Sequence, residues 1–89
     1  MKKLENKVAV VTGGAMGNGL GIVKVFLKYG ARVAILDYSE KLSETVKGLE
    51  KDFGQNVKGY MVDIRNKSKV EEIVKEIAED FGKIDILIN

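Results

Sequence analysis

The chain has 89 residues, which is enough for one small domain and too few for two. Hydrophobic residues make up 45% and charged residues 31%, a balance typical of a folded globular protein and not of a disordered one. Cysteine and histidine are absent, which excludes a disulfide framework, a thiolate metal site and histidine-based acid–base catalysis. We therefore expect a single domain over residues 1–89, without a metal site.

Charge and hydropathy also limit the partners. The net charge is +2, and the densest basic stretch, Arg65, Lys67 and Lys69, is short and contains no aromatic residue. It is expected to be a solvated loop and not a nucleic-acid site. No run approaches the roughly 20 apolar residues of a membrane span. The start, MKKLENKVAVVTGG, lacks a long apolar segment before a cleavage site, which predicts a cytoplasmic protein.

One pattern occurs three times along the chain. An apolar run is followed by an amphipathic stretch that ends in an aromatic residue and a glycine, at Tyr29-Gly30, Phe53-Gly54 and Phe81-Gly82. Glycine just past a helix can adopt the left-handed conformation that ends it. A fourth apolar run follows the third repeat, so the pattern predicts strands that alternate with helices.

The first half contains two predicted strands and two predicted helices. Residues 7–12 are continuously apolar and β-branched, as in a central parallel strand covered on both faces. The helix that follows should begin near Gly17 or Asn18. The second strand is predicted over residues 32–37, and the second helix follows Ser39, a candidate N-cap residue.

The second half adds a strand over about residues 57–63, a helix and a last buried strand over residues 84–88. The N-cap of the helix is either Asn66, or Ser68 in a capping box with Glu71. The helix has a broad apolar face, made of Val70, Ile73, Val74, Ile77 and Phe81.

Alternating strands and helices imply parallel pairing with right-handed crossovers. We therefore predict an α/β fold, a Rossmann-type three-layer sandwich of the form βαβαβαβ with parallel strand order 3-2-1-4. The chain winds outward from strand 1 to strand 3 and then crosses back to place strand 4 beside strand 1. This reversal creates a crevice at the carboxyl ends of strands 1 and 4, where such folds bind ligands.

The strongest chemical signal is the segment TGGAMGNG, residues 12–19, between the first strand and the first helix. Glycines allow a tight turn and let the backbone approach a pyrophosphate, while the helix N-terminus offers free N–H groups and a positive dipole end. The spacing G-x-x-x-G-x-G differs from G-x-G-x-x-G, and no Gly-Lys-Ser/Thr follows as in a P-loop. The alternative is a glycine-rich structural turn.

This segment resembles the TGxxxGxG motif of the short-chain dehydrogenase/reductase family. Asp37, the pair Asp63-Ile64 and the closing stretch IDILIN also fall where that family has its markers, so the resemblance covers the whole chain. It implies an NAD-dependent oxidoreductase that transfers hydride between NAD(H) and an alcohol or carbonyl. The chain is nevertheless shorter than the usual family member.

The resemblance also implies roles for individual residues. The pyrophosphate would be held by Gly13, Met16, Gly17, Asn18 and Gly19, and the adenine site would be lined by Asp63, Ile64 and Asn89. Thr12 would tie strand 1 to the segment that begins at Asn89. Two assignments have alternatives, because Asn18 either bonds the ligand or caps the helix, and Asp63 either contacts adenine or simply leads into the third helix.

Asp37 indicates the cofactor. At the end of the second strand of a Rossmann fold, a carboxylate accepts hydrogen bonds from the ribose hydroxyls and repels a 2′-phosphate. Met16 also indicates NAD, because family members that use NADP often carry Arg or Lys at this position. We therefore expect NAD and not NADP; the alternative is an aspartate that only opens a turn.

The catalytic pattern of the family is absent from these residues. It comprises a Ser and a Tyr-x-x-x-Lys pair, and the residues four after Tyr29, Tyr38 and Tyr60 are not lysines. We therefore expect the 89 residues alone to be inactive. The alternative functions are a non-catalytic nucleotide-binding module and a self-associating structural fragment.

The last strand and third helix predict association. In the family the fourth strand has a further strand beside it, and here its edge residues are apolar, with Lys83 and Asp85 as the only charges nearby. We expect a homodimer or larger assembly through this edge, the third helix, or both. The alternative is a monomer kept in solution by its many Lys and Glu residues.

Overall fold

The computed structural model describes residues 3–89, and Met1 and Lys2 of the N-terminal stretch lie outside it. The described chain consists of β1 (Val8–Thr12), α1 (Gly17–Lys28), β2 (Arg32–Asp37), α2 (Leu42–Phe53), β3 (Val57–Met61), α3 (Lys67–Phe81) and β4 (Ile86–Ile88). One 3-10 turn, Gly54–Asn56, joins α2 to β3. Over residues 3–89, none of the helices combines the length and the apolar character needed to cross a membrane.

The strands form one parallel sheet in the order β3-β2-β1-β4. β1 lies inside the sheet, since Val10 is opposite Ala34 of β2 on one side and Leu87 of β4 on the other. The predicted α/β class and strand order 3-2-1-4 are therefore confirmed. Because all strands run the same way, their carboxyl ends share one edge of the sheet.

Helices cover both faces of the sheet, which gives the predicted three layers. On one face α1 and α2 contribute Val23, Leu27 and Leu49 to a core. On the other face α3 contributes Ile77 and Phe81 to a second core. The continuous apolar run of β1 serves both cores, because successive side chains point to opposite faces: Val8, Ala9, Val10 and Val11.

All three helices end at or next to the predicted aromatic–glycine pairs. The prediction of Ser39 as the N-cap of α2 is wrong, because the helix begins at Leu42 with Lys41 as the cap residue. The Ser39 hydroxyl instead accepts a hydrogen bond from the Lys41 N–H at 3.1 Å and closes a turn before the helix. At α3 the cap is Asn66, whose Oδ1 accepts from the Lys69 N–H at 3.2 Å.

β2 has the predicted bounds, and the other three strands are one or two residues shorter than predicted. β3 ends at Met61 and not at residue 63, and β4 begins at Ile86 and not at residue 84. The Val62 N–H still donates to the Asp37 carbonyl at 3.1 Å, so the chain follows β2 for one more residue before it turns away. The predicted order of elements is unaffected.

Candidate functional site

The residues between β1 and α1 form a tight turn at the carboxyl edge of the sheet. Gly13 and Gly17 have φ values of 69° and 60°, in the left-handed region that favours glycine. A Cβ added to either residue would meet nothing within 4 Å, whereas one on Gly19 would collide with the Gly13 carbonyl oxygen. The turn therefore requires glycine at these positions and leaves open space beside its backbone, as close approach of a pyrophosphate requires.

Helix α1 begins without a side-chain cap. Met16 precedes it in an extended conformation, and a backbone hydrogen bond runs from Leu20 N to the Met16 carbonyl at 3.3 Å. The first turn of the helix contains no acidic residue. The leading N–H groups, at Gly17, Asn18 and Gly19, thus have no side-chain acceptor in the described chain, which suits an anion. The alternative that Asn18 caps the helix is wrong, since Met16 occupies the cap position.

Asp37 bridges the glycine-rich turn and its own loop. Its Oδ2 accepts a hydrogen bond from the Ala15 N–H at 2.9 Å, and its Oδ1 accepts one from the Ser39 N–H at 2.9 Å. The Gly13 N–H also donates to the Leu36 carbonyl at 2.8 Å, so β2 holds the turn through two contacts. The hydrogen bond from Ser39 is the one expected of an aspartate that only opens a turn. The hydrogen bond from Ala15 goes beyond that alternative, because it joins Asp37 to the glycine-rich turn. Each carboxylate oxygen retains capacity for a further donor.

Ala15 is held from a second direction by Thr45 of α2. The Thr45 hydroxyl donates to the Ala15 carbonyl at 2.8 Å, and Ala15 is buried. The N–H and the carbonyl of one residue are thus fixed by two different elements. Nothing in the sequence marks Thr45, because a single threonine in an amphipathic helix belongs to no motif.

Asp63 lies beyond β3 and pairs with its neighbour Arg65. Its carboxylate accepts hydrogen bonds from the Arg65 N–H (3.0 Å), Nε (3.0 Å) and Nη2 (2.7 Å). The Arg65 side chain, followed by its backbone N–H, lowers the pKa of Asp63 to about 2. Ile64 between them is exposed. The carboxylate assigned to adenine is therefore already engaged by a guanidinium, a contact the motif does not reveal.

The end of β4 is joined to β1 by Thr12. Its Oγ1 donates to the Ile88 carbonyl at 3.3 Å, which agrees with the tie implied by the family resemblance. Asn89 follows directly and lies at the same edge as the turn. Of the residues assigned to the site, Asp37 is joined to the turn by its hydrogen bond from Ala15. In the described chain neither Asp63 nor Asn89 forms a hydrogen bond with Asp37 or Ala15.

Residues 7–89 match the sequence profile of the short chain dehydrogenase family. The chain belongs to this family. It is 38% identical over 88 residues to short-chain dehydrogenase reductase 3a of Arabidopsis thaliana, covering 98% of this chain and 33% of that protein. It is 35% identical over 89 residues to a 2,3-dihydro-2,3-dihydroxybenzoate dehydrogenase of Bacillus subtilis strain 168, covering 99% and 34%. A crystal structure of a short chain dehydrogenase from Bacillus anthracis aligns with a TM-score of 0.89 and 38% identity, covering 97% of this chain and 34% of that one.

The chain spans about one third of the length of the short-chain dehydrogenases it matches. Membership places it in a family of oxidoreductases and confirms the resemblance read from residues 12–19. The comparisons do not favour the alternatives, a non-catalytic nucleotide-binding module and a self-associating structural fragment.

Proposed function

We propose that this chain binds NAD(H), as the nucleotide-binding part of a short-chain dehydrogenase that transfers hydride between NAD(H) and an alcohol or carbonyl. The observation that carries the proposal is the placement of the Asp37 carboxylate at the end of β2, in contact with the glycine-rich turn through Ala15 at 2.9 Å. In folds of this type the ligand lies at the carboxyl ends of the strands, with its ribose near an acidic residue that follows the second one.

The preference for NAD over NADP follows from charge. An ionised carboxylate accepts hydrogen bonds from both ribose hydroxyls, whereas a 2′-phosphate at the same place would be repelled. Met16, beside the turn, carries no charge that could offset that repulsion. Two protein N–H groups already hold the Asp37 oxygens, so the carboxylate meets the ribose in a fixed position.

The turn and the start of α1 fit a pyrophosphate. The backbone is open beside Gly13 and Gly17, and the uncapped helix start provides N–H groups and a positive dipole end. We assign Met16, Asn18 and Gly19 to the same subsite. For adenine we assign Asp63, Ile64 and Asn89; there the amino group of the base competes with Arg65 for the Asp63 oxygens.

Hydride chemistry would be supplied by the nicotinamide ring when it is bound. Proton transfer requires a tyrosine and a lysine in the family pattern, and the residues four after Tyr29, Tyr38 and Tyr60 are Val33, Leu42 and Ile64. We therefore propose that the 89 residues by themselves bind the cofactor without turnover. Steady oxidation or reduction of family substrates by the purified chain, shown by mass spectrometry to be free of longer proteins, would contradict this.

We also propose that the chain self-associates through β4 and α3. In the described residues β4 pairs with β1 on one side, and Leu87 is 60% exposed. Asp85 does not protect the outer edge, because its Oδ2 accepts from the Val8 N–H of β1 at 2.9 Å. The apolar face of α3 is only half-buried at Ile73 and Val74. In a two-fold symmetric dimer, the β4 edge and the α3 face of one chain would be covered by the same surfaces of a second chain. The alternative is a monomer.

Calorimetric titration with NAD and with AMP tests the binding proposal against its alternatives. NAD adds a pyrophosphate and a second nucleoside, so tighter binding of NAD than of AMP supports the proposal. Equal affinities would indicate a simple nucleotide module. Binding of neither would indicate a structural fragment and overturn the proposal.

A further inference from the structure

Two elements, β2 and α2, hold Ala15 in the glycine-rich turn. β2 provides the Asp37 carboxylate that accepts the Ala15 N–H at 2.9 Å, and α2 provides the Thr45 hydroxyl that donates to the Ala15 carbonyl at 2.8 Å. Ala15 is 1% exposed, so water has little access to replace either contact. The backbone of this one residue is therefore fixed by protein groups on both of its polar atoms.

The Thr45 contact has a geometric consequence for the turn. A trans peptide is planar, and its C=O and N–H point in opposite directions. Because Thr45 draws the Ala15 carbonyl towards α2, the N–H of Met16 in the same peptide plane points away from α2. The same anchoring restrains Ala15 so that its own N–H remains on Asp37.

The hydroxyl of Thr45 does not serve its own helix. A threonine inside a helix commonly bonds a carbonyl of the preceding turn, whereas this hydroxyl donates to a residue 30 positions earlier in the sequence. The backbone N–H of Thr45 makes the ordinary helical bond, to the Lys41 carbonyl at 2.9 Å. The long-range contact is therefore available for positioning the turn and is not needed to form α2.

We propose that Thr45 is a positioning residue for the dinucleotide site: by holding the Ala15 carbonyl, it sets the orientation of the turn and keeps the Asp37 carboxylate aligned for the ribose. This inference rests on the proposed function, since it concerns the site that would hold NAD(H). Thr45 itself touches no ligand in this role. Since Asp37 distinguishes a free 2′-hydroxyl from a phosphate, loosening its contact with Ala15 lowers the preference for NAD over NADP.

The test compares three variants of the full 89-residue chain. Thr45→Val removes the hydroxyl with little change in shape, and Thr45→Ser retains it. Ser43→Val is the matched control, because it places the same β-branched side chain at an exposed position of α2. The measurements are the affinities for NAD and NADP by calorimetry, and amide hydrogen exchange at Ala15 by NMR.

We expect Thr45→Val to weaken NAD binding by roughly three- to tenfold, the usual effect of losing one hydrogen bond. It should also reduce the ratio of NAD to NADP affinity and accelerate exchange at Ala15, while Thr45→Ser and Ser43→Val remain near wild type. Unchanged affinity and ratio in Thr45→Val, with NAD bound by the wild type, would overturn the inference alone. The inference would also be overturned if Thr45→Val lost affinity equally for NAD and NADP, or if Ser43→Val lost as much affinity as Thr45→Val. Either result would indicate general destabilisation of the chain. A wild-type chain that binds no dinucleotide would overturn the proposed function and this inference with it.

Discussion

The carboxylate of Asp37 accepts a hydrogen bond from the backbone N–H of Ala15 at 2.9 Å. This contact joins the end of β2 to the glycine-rich turn, and a second bond from the Ser39 N–H holds the other oxygen. The carboxylate is thus oriented before a ligand arrives, which reduces the ordering cost of binding. Asp37 thus holds the turn in place, and under the proposed function it also binds the ribose, so substitutions there should affect both stability and cofactor binding.

Replacing Asp37 should weaken NAD binding. In Asp37→Ala the ribose loses a charged acceptor, and we expect a cost of about 1.5–3 kcal/mol, or roughly ten- to a hundredfold in affinity. Asp37→Asn keeps the shape without the charge and should therefore lose NAD affinity while discriminating less against NADP. Calorimetry measures both effects. An Asp37→Ala chain that binds NAD as tightly as the wild type would show that the ribose assignment is wrong.

Two glycines of α1 should respond in opposite directions to alanine. In Gly19→Ala the new methyl group would collide with the Gly13 carbonyl oxygen, so we expect unfolding free energy to fall by about 1–3 kcal/mol and NAD binding to weaken. In Gly21→Ala the methyl group meets nothing within 4 Å, and the gain in helix propensity should stabilise the chain by about 0.5–1 kcal/mol. Urea unfolding distinguishes them. Equal unfolding free energies for the two variants would contradict the close approach of Gly19 to the Gly13 carbonyl oxygen.

The pairing of Asp63 with Arg65 should be visible in an acid titration. The pKa of Asp63 lies at about 2, below its ordinary value of 3.8, because Arg65 donates hydrogen bonds to it. The lowered folded-state pKa means that the contribution of Asp63 to stability is fully present above pH 3.8 and is lost as the pH falls towards 2. Arg65→Met should raise the pKa towards the ordinary value. NMR titration of the side-chain carboxyl carbon measures the midpoint, and a wild-type midpoint at the ordinary value would contradict the pairing.

Association through β4 and α3 should respond to charge on those surfaces. We expect a dimer or larger species at micromolar concentration in sedimentation experiments, and Leu87→Lys or Ile73→Lys should weaken it by burying an unpaired cation. Val25→Lys is the control, because Val25 is 50% exposed on α1, on the opposite face of the sheet. A wild-type chain that sediments as a single 9.8 kDa species, unchanged in the variants, would refute the proposal.

The fold was predictable because its determinants are local and periodic. The β-branched runs, the helical apolar faces and the glycines after aromatic residues each predicted an element that the structure contains. The contacts of the site were less accessible from sequence. Thr45 reaches Ala15 across 30 positions, and Arg65 pairs with Asp63 by side-chain geometry, so neither follows from motif spacing. The N-cap error at Ser39 has a different origin, because its hydroxyl accepts from the Lys41 N–H and closes a local turn just before α2 begins at Leu42.

The measurement that tests the proposed function most directly is a pair of calorimetric titrations of the 89-residue chain, one with NAD and one with NADP, at the same ionic strength. We predict that NAD binds at least roughly tenfold more tightly, because the Asp37 carboxylate accepts from a ribose diol and repels a 2′-phosphate, a difference of about 1.4 kcal/mol or more. Equal or tighter binding of NADP, or the absence of binding by either dinucleotide, would contradict it.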